Sequence, residues 1–229
     1  MRDHPDALML FAAGFGTRMG ALTAALPKPL IKVGGRALVD HALALADGVP
    51  LARKALNLHY LPEQIKAHLA HRADIAFSLE TPAILETGGG LRQALPLLGF
   101  GPVFTLNTDA VWAGPNPLMI LRQAWIPRTM DALLLLIPEQ AASGHVGPGD
   151  FTLCADGRIT RGGDHIYVGA QIIRTETLHQ MAAPVFSLNR LWDQMIANGR
   201  AYGAVYPGHW CDVGQPGGIQ QAEAMLADV

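Results

Sequence analysis

Two glycines and two cations follow the first apolar segment of the chain. Gly14 and Gly16 lack a Cβ, so the backbone can bend sharply there and bring its N–H groups close to an anion. Arg18 follows within two residues, and Lys28 lies between two prolines. A planar guanidinium, a point-like ammonium and accessible backbone N–H groups favour binding of a polyphosphate, such as that of a nucleoside triphosphate.

Two common phosphate-binding loops do not match this segment. A Walker A loop requires Gly-Lys-Ser/Thr at the start of a helix, and the chain contains no Gly-Lys dipeptide. A dinucleotide-binding loop requires Gly-x-Gly-x-x-Gly and an acidic residue about 20 positions later. Here Met19 stands in place of the third glycine, and Asp40 falls inside an apparent helix. A tight turn with surface cations is the remaining interpretation that needs no ligand.

Two aspartates could complete a site for a metal-bound phosphate. Asp109 follows the apolar segment that begins at Phe104, and Asp212 precedes the last helix-like segment. Taken alone, Asp109 is equally consistent with a helix N-cap, and Asp212 is more typical of a turn. Together with the glycine segment they favour a Mg²⁺ site, because two carboxylates plus phosphate oxygens and waters are the usual Mg²⁺ ligands.

A second glycine-rich run follows Glu80. In Leu85–Gly90, three consecutive glycines precede a helix-like segment. Such glycines would let a nucleobase or ribose lie against the backbone at a helix start. Taken alone, a flexible loop that opens a helix is the favoured interpretation.

Apolar segments alternate with helix-like segments through about the first 140 residues. These strand-like segments lack polar alternation, which is typical of parallel strands covered on both faces. We therefore predict an α/β fold with a doubly wound, mostly parallel sheet whose ligands bind beyond the carboxyl ends of the strands. The predicted strands are Ala7–Phe11, Ala55–Leu58, Ile75–Leu79, Val103–Leu106 and Ala132–Ile137, and the predicted helices are Leu38–Ala46, Glu63–Ala70, Gly90–Leu97 and Asn116–Ala124.

The pattern changes after residue 148. Ala-Asp-Gly at 155–157 predicts a hairpin turn between two short strands, and Pro216 suits the first turn of a C-terminal helix. The remaining predictions are strands at Asp150–Cys154, Arg158–Thr160, Ile166–Ile173 and Tyr202–Tyr206, and helices at Thr175–Met181, Leu188–Asn198 and from Pro216 to about Leu226.

The composition limits the classes of function. The 229 residues and 50% hydrophobic content suit one domain, and the net charge of −2 implies no basic face for nucleic acid. No apolar run, Ala132–Ile137 included, is long enough to cross a membrane, and the acidic N-terminus does not resemble a signal peptide. We therefore expect a cytoplasmic protein with free thiols at Cys154 and Cys211, although one disulfide stays possible. His68 and His71 are expected on a solvated helix surface rather than at a metal.

The glycine segment resembles the N-terminal motif of the nucleoside-diphosphate-sugar pyrophosphorylases, a family of sugar-1-phosphate nucleotidyltransferases. Its matching residues are Gly14, Gly16, Thr17, Arg18, Met19, Pro27, Lys28, Pro29 and Leu30. The resemblance implies transfer of a nucleotidyl group from an NTP to a sugar-1-phosphate, with Mg²⁺ as cofactor and pyrophosphate as product. It extends from about residue 7 to the C-terminus, and it implies a Rossmann-like nucleotidyltransferase fold with a small β-containing acceptor region.

The finer resemblance is to N-acetylmuramate-1-phosphate uridylyltransferases of peptidoglycan recycling, which use UTP. It depends on Leu85–Gly90, Ala94–Gly99, Gly149–Phe151 and Gly208–Gly214. Guanylyltransferases for mannose- and heptose-1-phosphates have similar loops and are the alternative. A catalytically weak nucleotide-sugar-binding regulatory protein is disfavoured, because both cations and both carboxylates are present.

The resemblance also implies roles for individual residues. We expect one domain over residues 1–229, with a nucleotide-binding part to about residue 140 and a sugar-phosphate-binding part over about 141–229. The implied catalytic residues are Arg18 and Lys28; the nucleotide-binding residues are Ala12, Ala13, Gly14, Gly16, Thr17, Arg18, Lys28, Glu80, Thr87, Gly88 and Asn107; the sugar-binding residues are Asp150, Gly169 and Asn189; and the metal ligands are Asp109 and Asp212.

Two departures from the family pattern affect this site. Thr108 stands where the usual Asn-Gly-Asp motif has glycine, and a β-branched residue has a stiffer backbone there. Gly20-Ala21 replaces the family's Arg-Pro after Met19. We expect Thr108 to alter the local geometry without removing the carboxylate of Asp109, and Gly20-Ala21 to alter the loop over the triphosphate.

Overall fold

The computed structural model describes residues 3–228, which form six α-helices and fourteen strands. The strands are β1 (Ala7–Phe11), β2 (Lys32–Val33), β3 (Arg36–Ala37), β4 (Arg53–Leu58), β5 (Ile75–Leu79), β6 (Val103–Asn107), β7 (Ala110–Ala113), β8 (Ala132–Pro138), β9 (Ala142–Ser143), β10 (Phe151–Leu153), β11 (Ile159–Arg161), β12 (His165–Ile173), β13 (Ala201–Val205) and β14 (His209–Asp212). The α-helices are α1 (Leu38–Asp47), α2 (Pro62–His68), α3 (Glu86–Leu98), α4 (Pro117–Ala124), α5 (Asn189–Ala197) and α6 (Pro216–Ala227). Short 3-10 helices span Thr17–Thr23, Lys28–Leu30, Glu139–Ala141 and Glu176–Gln180.

One large mixed sheet organises the chain. Strands β5, β4, β1 and β6 lie side by side and run parallel. Strand β12 follows β6 and runs antiparallel to it, and β8 and then β13 complete the order on the far side of β12. The hairpin of β10 and β11 joins the beginning of β12. The predicted doubly wound, mostly parallel sheet is therefore confirmed, with one reversed strand near its centre.

Helices cover both faces of this sheet. Leu8 and Leu10 of β1 pack into a cluster with residues of α1, α2 and α4. Ala7 and Met9 of the same strand pack on the opposite face against α3 and α5. Successive side chains of a strand point to opposite faces. This burial on both sides explains the uninterrupted apolar segments.

A third, smaller cluster packs away from the large sheet. Buried Met19 packs there with residues near β14 and α6, including Val213 and Ala222. The sheet of β7, β14 and β9 passes beside it. This cluster fixes the glycine segment against the C-terminal part of the chain.

Most element boundaries agree with the sequence within a few residues, and three differences bear on the site. Helix α3 begins at Glu86 rather than at Gly90, so the three glycines lie inside the helix. The segment predicted as a helix at 175–181 is a 3-10 helix, Glu176–Gln180. The small sheet of β7, β14 and β9 was not predicted.

Both cysteines are free thiols, as expected. His68 Nε2 contacts an Asp40 carboxylate oxygen at 2.9 Å, so this histidine is paired with an acid on the helix surface. Over residues 3–228, none of the helices is both long and apolar enough to span a bilayer.

Candidate active site

A cleft of about 210 Å³ opens at the carboxyl ends of β1 and β6. Strands of a parallel sheet all end at the same edge, so residues distant in sequence meet there. The predicted site residues that line this cleft are Ala12, Ala13, Gly14, Lys28, Thr87, Asn107 and Asp109. These predicted residues thus surround one cavity, and the other predicted site residues lie outside its walls.

The glycine segment is wound tightly before it reaches the cations. Gly16 has φ +65°, and a Cβ built there would lie 2.9 Å from side-chain atoms of both Lys28 and Thr23. Its carbonyl accepts hydrogen bonds from the Met19 N–H at 2.8 Å and from the Thr23 hydroxyl at 2.9 Å. Only glycine suits this conformation and this close approach. Gly14 differs, because nothing lies within 4 Å of the Cβ it lacks.

Arg18 lies between a buried anchor and the second acidic residue. Its neighbour Met19 is buried, whereas Arg18 itself is exposed. A Cβ built on Gly214 would lie 3.2 Å from Arg18 Nη1 and 2.6 Å from Asp212 Oδ2. The guanidinium and this carboxylate therefore converge above Gly214. Gly20 has φ +59° and ψ −128°, a conformation nearly restricted to glycine, which accounts for the absence of an arginine there.

Lys28 and Asp109 form an ion pair. Lys28 Nζ donates to Asp109 Oδ2 at 2.8 Å, and Lys28 is only 8% exposed. The ammonium carries further N–H groups beyond the one used here. Both side chains line the cleft, so an incoming phosphate would meet a cation that is already held in place.

The unpredicted small sheet brings the two aspartates together. Asp212 at the end of β14 pairs in register with Ala110 of β7, which directly follows Asp109. The N–H of Val213 also donates to the Asp109 carbonyl at 2.9 Å. Burial, followed by the neighbouring charge of Asp109, raises the pKa of Asp212, while Lys28 and Arg18 act in the opposite direction. Two carboxylates thus share one partly buried corner of the site.

This corner has the donor chemistry of a Mg²⁺ site. Carboxylate oxygens are hard ligands, and Mg²⁺ is commonly held by one or two carboxylates plus waters and substrate phosphates. Residues 3–228 contain no group of three or more His, Cys, Asp or Glu side chains suited to holding a metal. Asp109 and Asp212 could therefore hold a cation only together with ligands from water or substrate.

Thr108 has a clear local role. Its hydroxyl donates to the Phe11 carbonyl at 2.7 Å, and its N–H donates to the same oxygen at 3.3 Å. The side chain is buried and ties the end of β6 to the end of β1. The replacement of the family's glycine therefore adds a clamp beside Asp109.

Glu80 does not line the cleft, contrary to the expectation that it contacts the nucleotide. It is 0% exposed, and its carboxylate accepts from Asn57 Nδ2 and from the Leu85 N–H, each at 2.7 Å. The reason is its position directly after β5, where the side chain turns inward beneath the edge of the sheet.

The glycines of Leu85–Gly90 also have a different purpose from the one predicted. A Cβ on Gly88 would overlap the Phe186 ring, and one on Gly89 would lie 2.6 Å from the Pro184 carbonyl. The Gly88 N–H donates to the Phe186 carbonyl at 2.9 Å. The space beside these glycines is filled by protein, and within Leu85–Gly90 it is Glu86 and Thr87 that line the cleft.

The predicted sugar-side residues lie at three places around the sheet edge. Gly169 has φ +80° at an irregularity in β12, and a Cβ there would lie 2.9 Å from the cleft residue Asn107. Asp150 is exposed and accepts from the Tyr167 N–H at 2.9 Å. Asn189 begins α5, and its amide contacts the Ser187 hydroxyl at 3.0 Å. Asp150, Gly169 and Asn189 do not line the cleft, and Gly169 alone abuts a residue that does.

A model of the MobA-like NTP transferase domain family matches residues 8–197, which include the cleft and both cations. The chain belongs to this family. The resemblance to nucleotidyltransferases that its glycine segment indicated is thereby confirmed.

Relatives of this NTP transferase match over most or all of its length. It is 37% identical, over all of both chains, to an N-acetylmuramate alpha-1-phosphate uridylyltransferase of Caulobacter vibrioides. It is 31% identical to a protein of that name from Neisseria meningitidis, with 95% of this chain and 96% of the relative covered. A probable mannose-1-phosphate guanylyltransferase of Arabidopsis thaliana is 25% identical, with 91% of this chain and 61% of the relative covered.

Solved structures share the fold of this NTP transferase. HddC from Yersinia pseudotuberculosis has a TM-score of 0.76 at 17% identity, covering 96% of this chain and 99% of its own. A putative glucose-1-phosphate thymidylyltransferase from Bacillus anthracis has a TM-score of 0.80 at 14% identity, covering 97% and 96%.

Two polar cleft residues of this NTP transferase were missed in the sequence. Asn57 lies at the end of β4 and Glu86 opens α3, and both line the cleft. Glu86 has φ +58°, which is strained for a residue other than glycine. Asn57 carried a usable signal, since a polar residue near the end of an apolar parallel strand points to the ligand-binding edge.

Proposed function

We propose that this protein is a Mg²⁺-dependent uridylyltransferase that transfers UMP from UTP to N-acetylmuramate-1-phosphate in the cytoplasm. The products would be the UDP-sugar and pyrophosphate, and the reaction would serve cell-wall sugar recycling. The observation that carries the proposal is the cluster in which Arg18 and Asp212 lie close to the cleft residues Lys28 and Asp109. The full-length relatives that bear this uridylyltransferase name support the choice of substrates.

The reaction requires little proton transfer from the protein. A phosphate monoester has a second pKa near 6, so a sugar-1-phosphate is mostly a dianion at neutral pH. One of its oxygens forms a bond to the α-phosphorus of UTP, and the bond from that phosphorus to the β-phosphate bridging oxygen breaks. The chief barrier is repulsion between anions, so positioning and charge neutralisation should supply the catalysis.

Each cation has a separate part in this proposal. Lys28 would serve the α-phosphate and the entering sugar phosphate, because it is held within the cleft by Asp109. Arg18 is more exposed and would hold the departing β- and γ-phosphates through its planar guanidinium. Exposure suits a group that must release pyrophosphate at each turnover.

Asp109 and Asp212 would hold Mg²⁺, with the remaining ligands from phosphate oxygens and water. Bound there, the cation would neutralise charge on the transferring phosphoryl group. It would also relieve the repulsion between two carboxylates, one of which has its pKa raised by burial and by its neighbour. Gly169 would bring β12 against the acceptor, while Asp150 and Asn189 would contact the sugar from the surrounding loops.

The test measures pyrophosphate release with Mg²⁺ across UTP and GTP, each with N-acetylmuramate-1-phosphate and mannose-1-phosphate. We expect turnover with UTP and N-acetylmuramate-1-phosphate, and little with the guanine and mannose pair. Preference for GTP with mannose- or heptose-1-phosphate would support the guanylyltransferase alternative instead. Binding of a nucleotide-sugar without turnover in any pair would favour the regulatory alternative.

The Mg²⁺ site has its own test. Asp109→Asn should weaken Mg²⁺ binding measured by titration with nucleotide present, and activity should fall with it. The matched control is Asp156→Asn, which makes the same change in an exposed hairpin turn. Equal Mg²⁺ affinity in the two variants would contradict the assignment of Asp109.

A further inference from the structure

A chain of buried hydrogen bonds leads from α3 to the wall of the cleft. The Leu85 N–H donates to Glu80 Oε2, and Asn57 Nδ2 donates to Glu80 Oε1, each at 2.7 Å. Asn57 Oδ1 in turn accepts from the Ala12 N–H at 2.7 Å. This series of hydrogen bonds crosses three neighbouring strands, since Ala12, Asn57 and Glu80 lie at the ends of β1, β4 and β5.

The direction of every bond in this chain is fixed. The backbone N–H groups of Ala12 and Leu85 can only donate. The Asn57 amide must therefore turn its oxygen to Ala12 and its nitrogen to Glu80, which must accept from both sides. A carboxylate is the acceptor-only group that meets this need. Within residues 3–228, the Glu80 carboxylate forms no ion pair. Its polar contacts there are the two hydrogen bonds from Asn57 and Leu85.

The space around these hydrogen bonds is filled by protein as well. A Cβ on Gly90 would lie 2.5 Å from Glu80 Oε1 and 2.9 Å from Asn57 Nδ2. Glu80 and Asn57 are 0% and 3% exposed, so neither carries its polar atoms into open solvent. The lack of a side chain at Gly90 thus allows α3 to pack directly against the Glu80–Asn57 pair.

We propose that Glu80 is a positioning residue for nucleotide binding, acting through Asn57 on the backbone of Ala12 rather than touching the nucleotide. Asn57, Ala12 and Ala13 line the cleft while Glu80 does not. The carboxylate sets the orientation of the Asn57 amide, and that amide fixes where the backbone leaves β1 for the glycine segment. This assignment rests on the proposed nucleotidyl transfer, because it concerns how the nucleotide is received.

A polarity swap tests this assignment. In Glu80→Gln, one pair of facing donors stays unpaired whichever way the amides turn. In Asn57→Asp, two carboxylates face each other at the former 2.7 Å contact. In the double variant that combines both substitutions, the new amide at position 80 donates to the new carboxylate at position 57 and accepts from the Leu85 N–H. That carboxylate still accepts from the Ala12 N–H, so every hydrogen bond is regained with the same total charge.

The expected readout is a split between the two substrates. Each single variant should raise KM for the nucleotide by about tenfold, as expected when a buried donor loses its partner. KM for the sugar-1-phosphate should stay within about threefold of the wild type, roughly the spread of context effects on such contacts. The double variant should return the nucleotide KM to near the wild-type value. Glu63→Gln is the matched control, because Glu63 is exposed and pairs with Lys66 on α2.

A measurement without substrate separates this assignment from the proposed function. Hydrogen exchange of the Ala12 amide, followed by NMR, should be slow in the wild type, faster in each single variant and slow again in the double variant. If the wild type binds no nucleotide, the proposed function fails. The exchange pattern still decides whether Glu80 positions the Ala12 backbone through Asn57. Two results would overturn it: wild-type nucleotide KM and Ala12 exchange in Glu80→Gln, or a double variant as impaired as the single variants. A double variant that does not fold would count against it too, since all its hydrogen bonds are retained.

Discussion

The two glycine-rich segments meet at one cleft, and glycine serves opposite purposes in them. At Gly14 the space of the missing side chain is open, and exposed Arg18 follows. At Gly88 and Gly90 that space is filled by Phe186 and by the Glu80–Asn57 pair. One segment leaves room for a ligand, whereas the other makes room for the protein itself.

This difference shows why a run of glycines does not by itself identify a ligand contact. Both segments permit a close approach of the backbone. A cation follows each of them, but Arg18 is exposed near Asp212, whereas Arg92 donates to the Ala183 carbonyl and lies over the Phe186 ring. Buried groups that need satisfied hydrogen bonds surround the second segment. The open segment therefore governs binding of charge, and the closed segment governs the shape of the wall.

The largest effect should come from removing the charge beside the open segment. Lys28→Ala should lower kcat by about 10²–10³, as for other groups that stabilise transition-state charge. Stopped-flow or steady-state pyrophosphate release measures it. Lys66→Ala, which removes a partly exposed cation from α2, is the control. Near-normal turnover in Lys28→Ala would remove Lys28 from the catalytic machinery.

The same small substitution in both segments should separate them next. Gly90→Ala overpacks the Glu80–Asn57 pair and should cost about 1–3 kcal/mol of stability, less a gain of up to about 1 kcal/mol in helix propensity. Gly14→Ala meets nothing within 4 Å and should change stability by less than about 0.5 kcal/mol, while weakening nucleotide binding. Urea unfolding and nucleotide titration distinguish the two. Equal stability losses would erase the contrast between the segments.

A smaller effect is expected at the clamp between β1 and β6. Thr108→Val keeps the shape but removes the 2.7 Å hydrogen bond to the Phe11 carbonyl, which should cost about 1 kcal/mol. Thr108→Ser keeps the hydroxyl and should lose less. The free energy of unfolding measures both, and a larger loss in Thr108→Ser than in Thr108→Val would assign the role of Thr108 to its methyl group.

The smallest effect concerns the partly buried negative charge of Asp212, near the open segment. The folded-state pKa of Asp212 is raised by burial, so its ionisation destabilises the fold as pH rises from the unfolded pKa through the folded one. Asp212→Asn should therefore raise Tm near neutral pH in EDTA, with the gain vanishing in strong acid, although activity is lost. Asp156→Asn should show no such gain, because the hydrogen bond from Arg158 lowers the pKa of Asp156. A lower Tm for Asp212→Asn would contradict this cost.

Sequence reasoning was most successful where one local rule decided the structure. Apolar segments such as Ala7–Phe11 and Ile75–Leu79 match their strands without error, because burial on both faces leaves no polar alternation. Lys28 lines the cleft, and the positive φ of Gly16 agrees with the sharp bend expected of a glycine there. The NTP transferase family itself was readable from this segment.

Long-range contacts were beyond such rules. Glu80 was predicted at the nucleotide, but its inward turn depends on Asn57, which lies 23 residues earlier. The start of α3 was placed too late, because three glycines weaken a helix locally. Their close contacts with Phe186, Pro184 and Glu80 explain them, and these contacts are not visible in the sequence. The small sheet that joins Asp109 to Asp212 has strands of two to four residues, too short for a periodic pattern. The residue roles inferred from the resemblance stay predictions.

The reversed strand β12 has a mechanical consequence. It is hydrogen-bonded to β6 on one side and to β8 on the other, although it belongs to the later part of the chain. Because it runs backwards, its beginning rather than its end reaches the cleft edge, where Gly169 meets Asn107. The early and late parts of the chain are therefore hydrogen-bonded into one continuous sheet. We expect any closing movement over substrates to come from the loops around that sheet, so that entry and release are gated locally rather than by movement of whole domains.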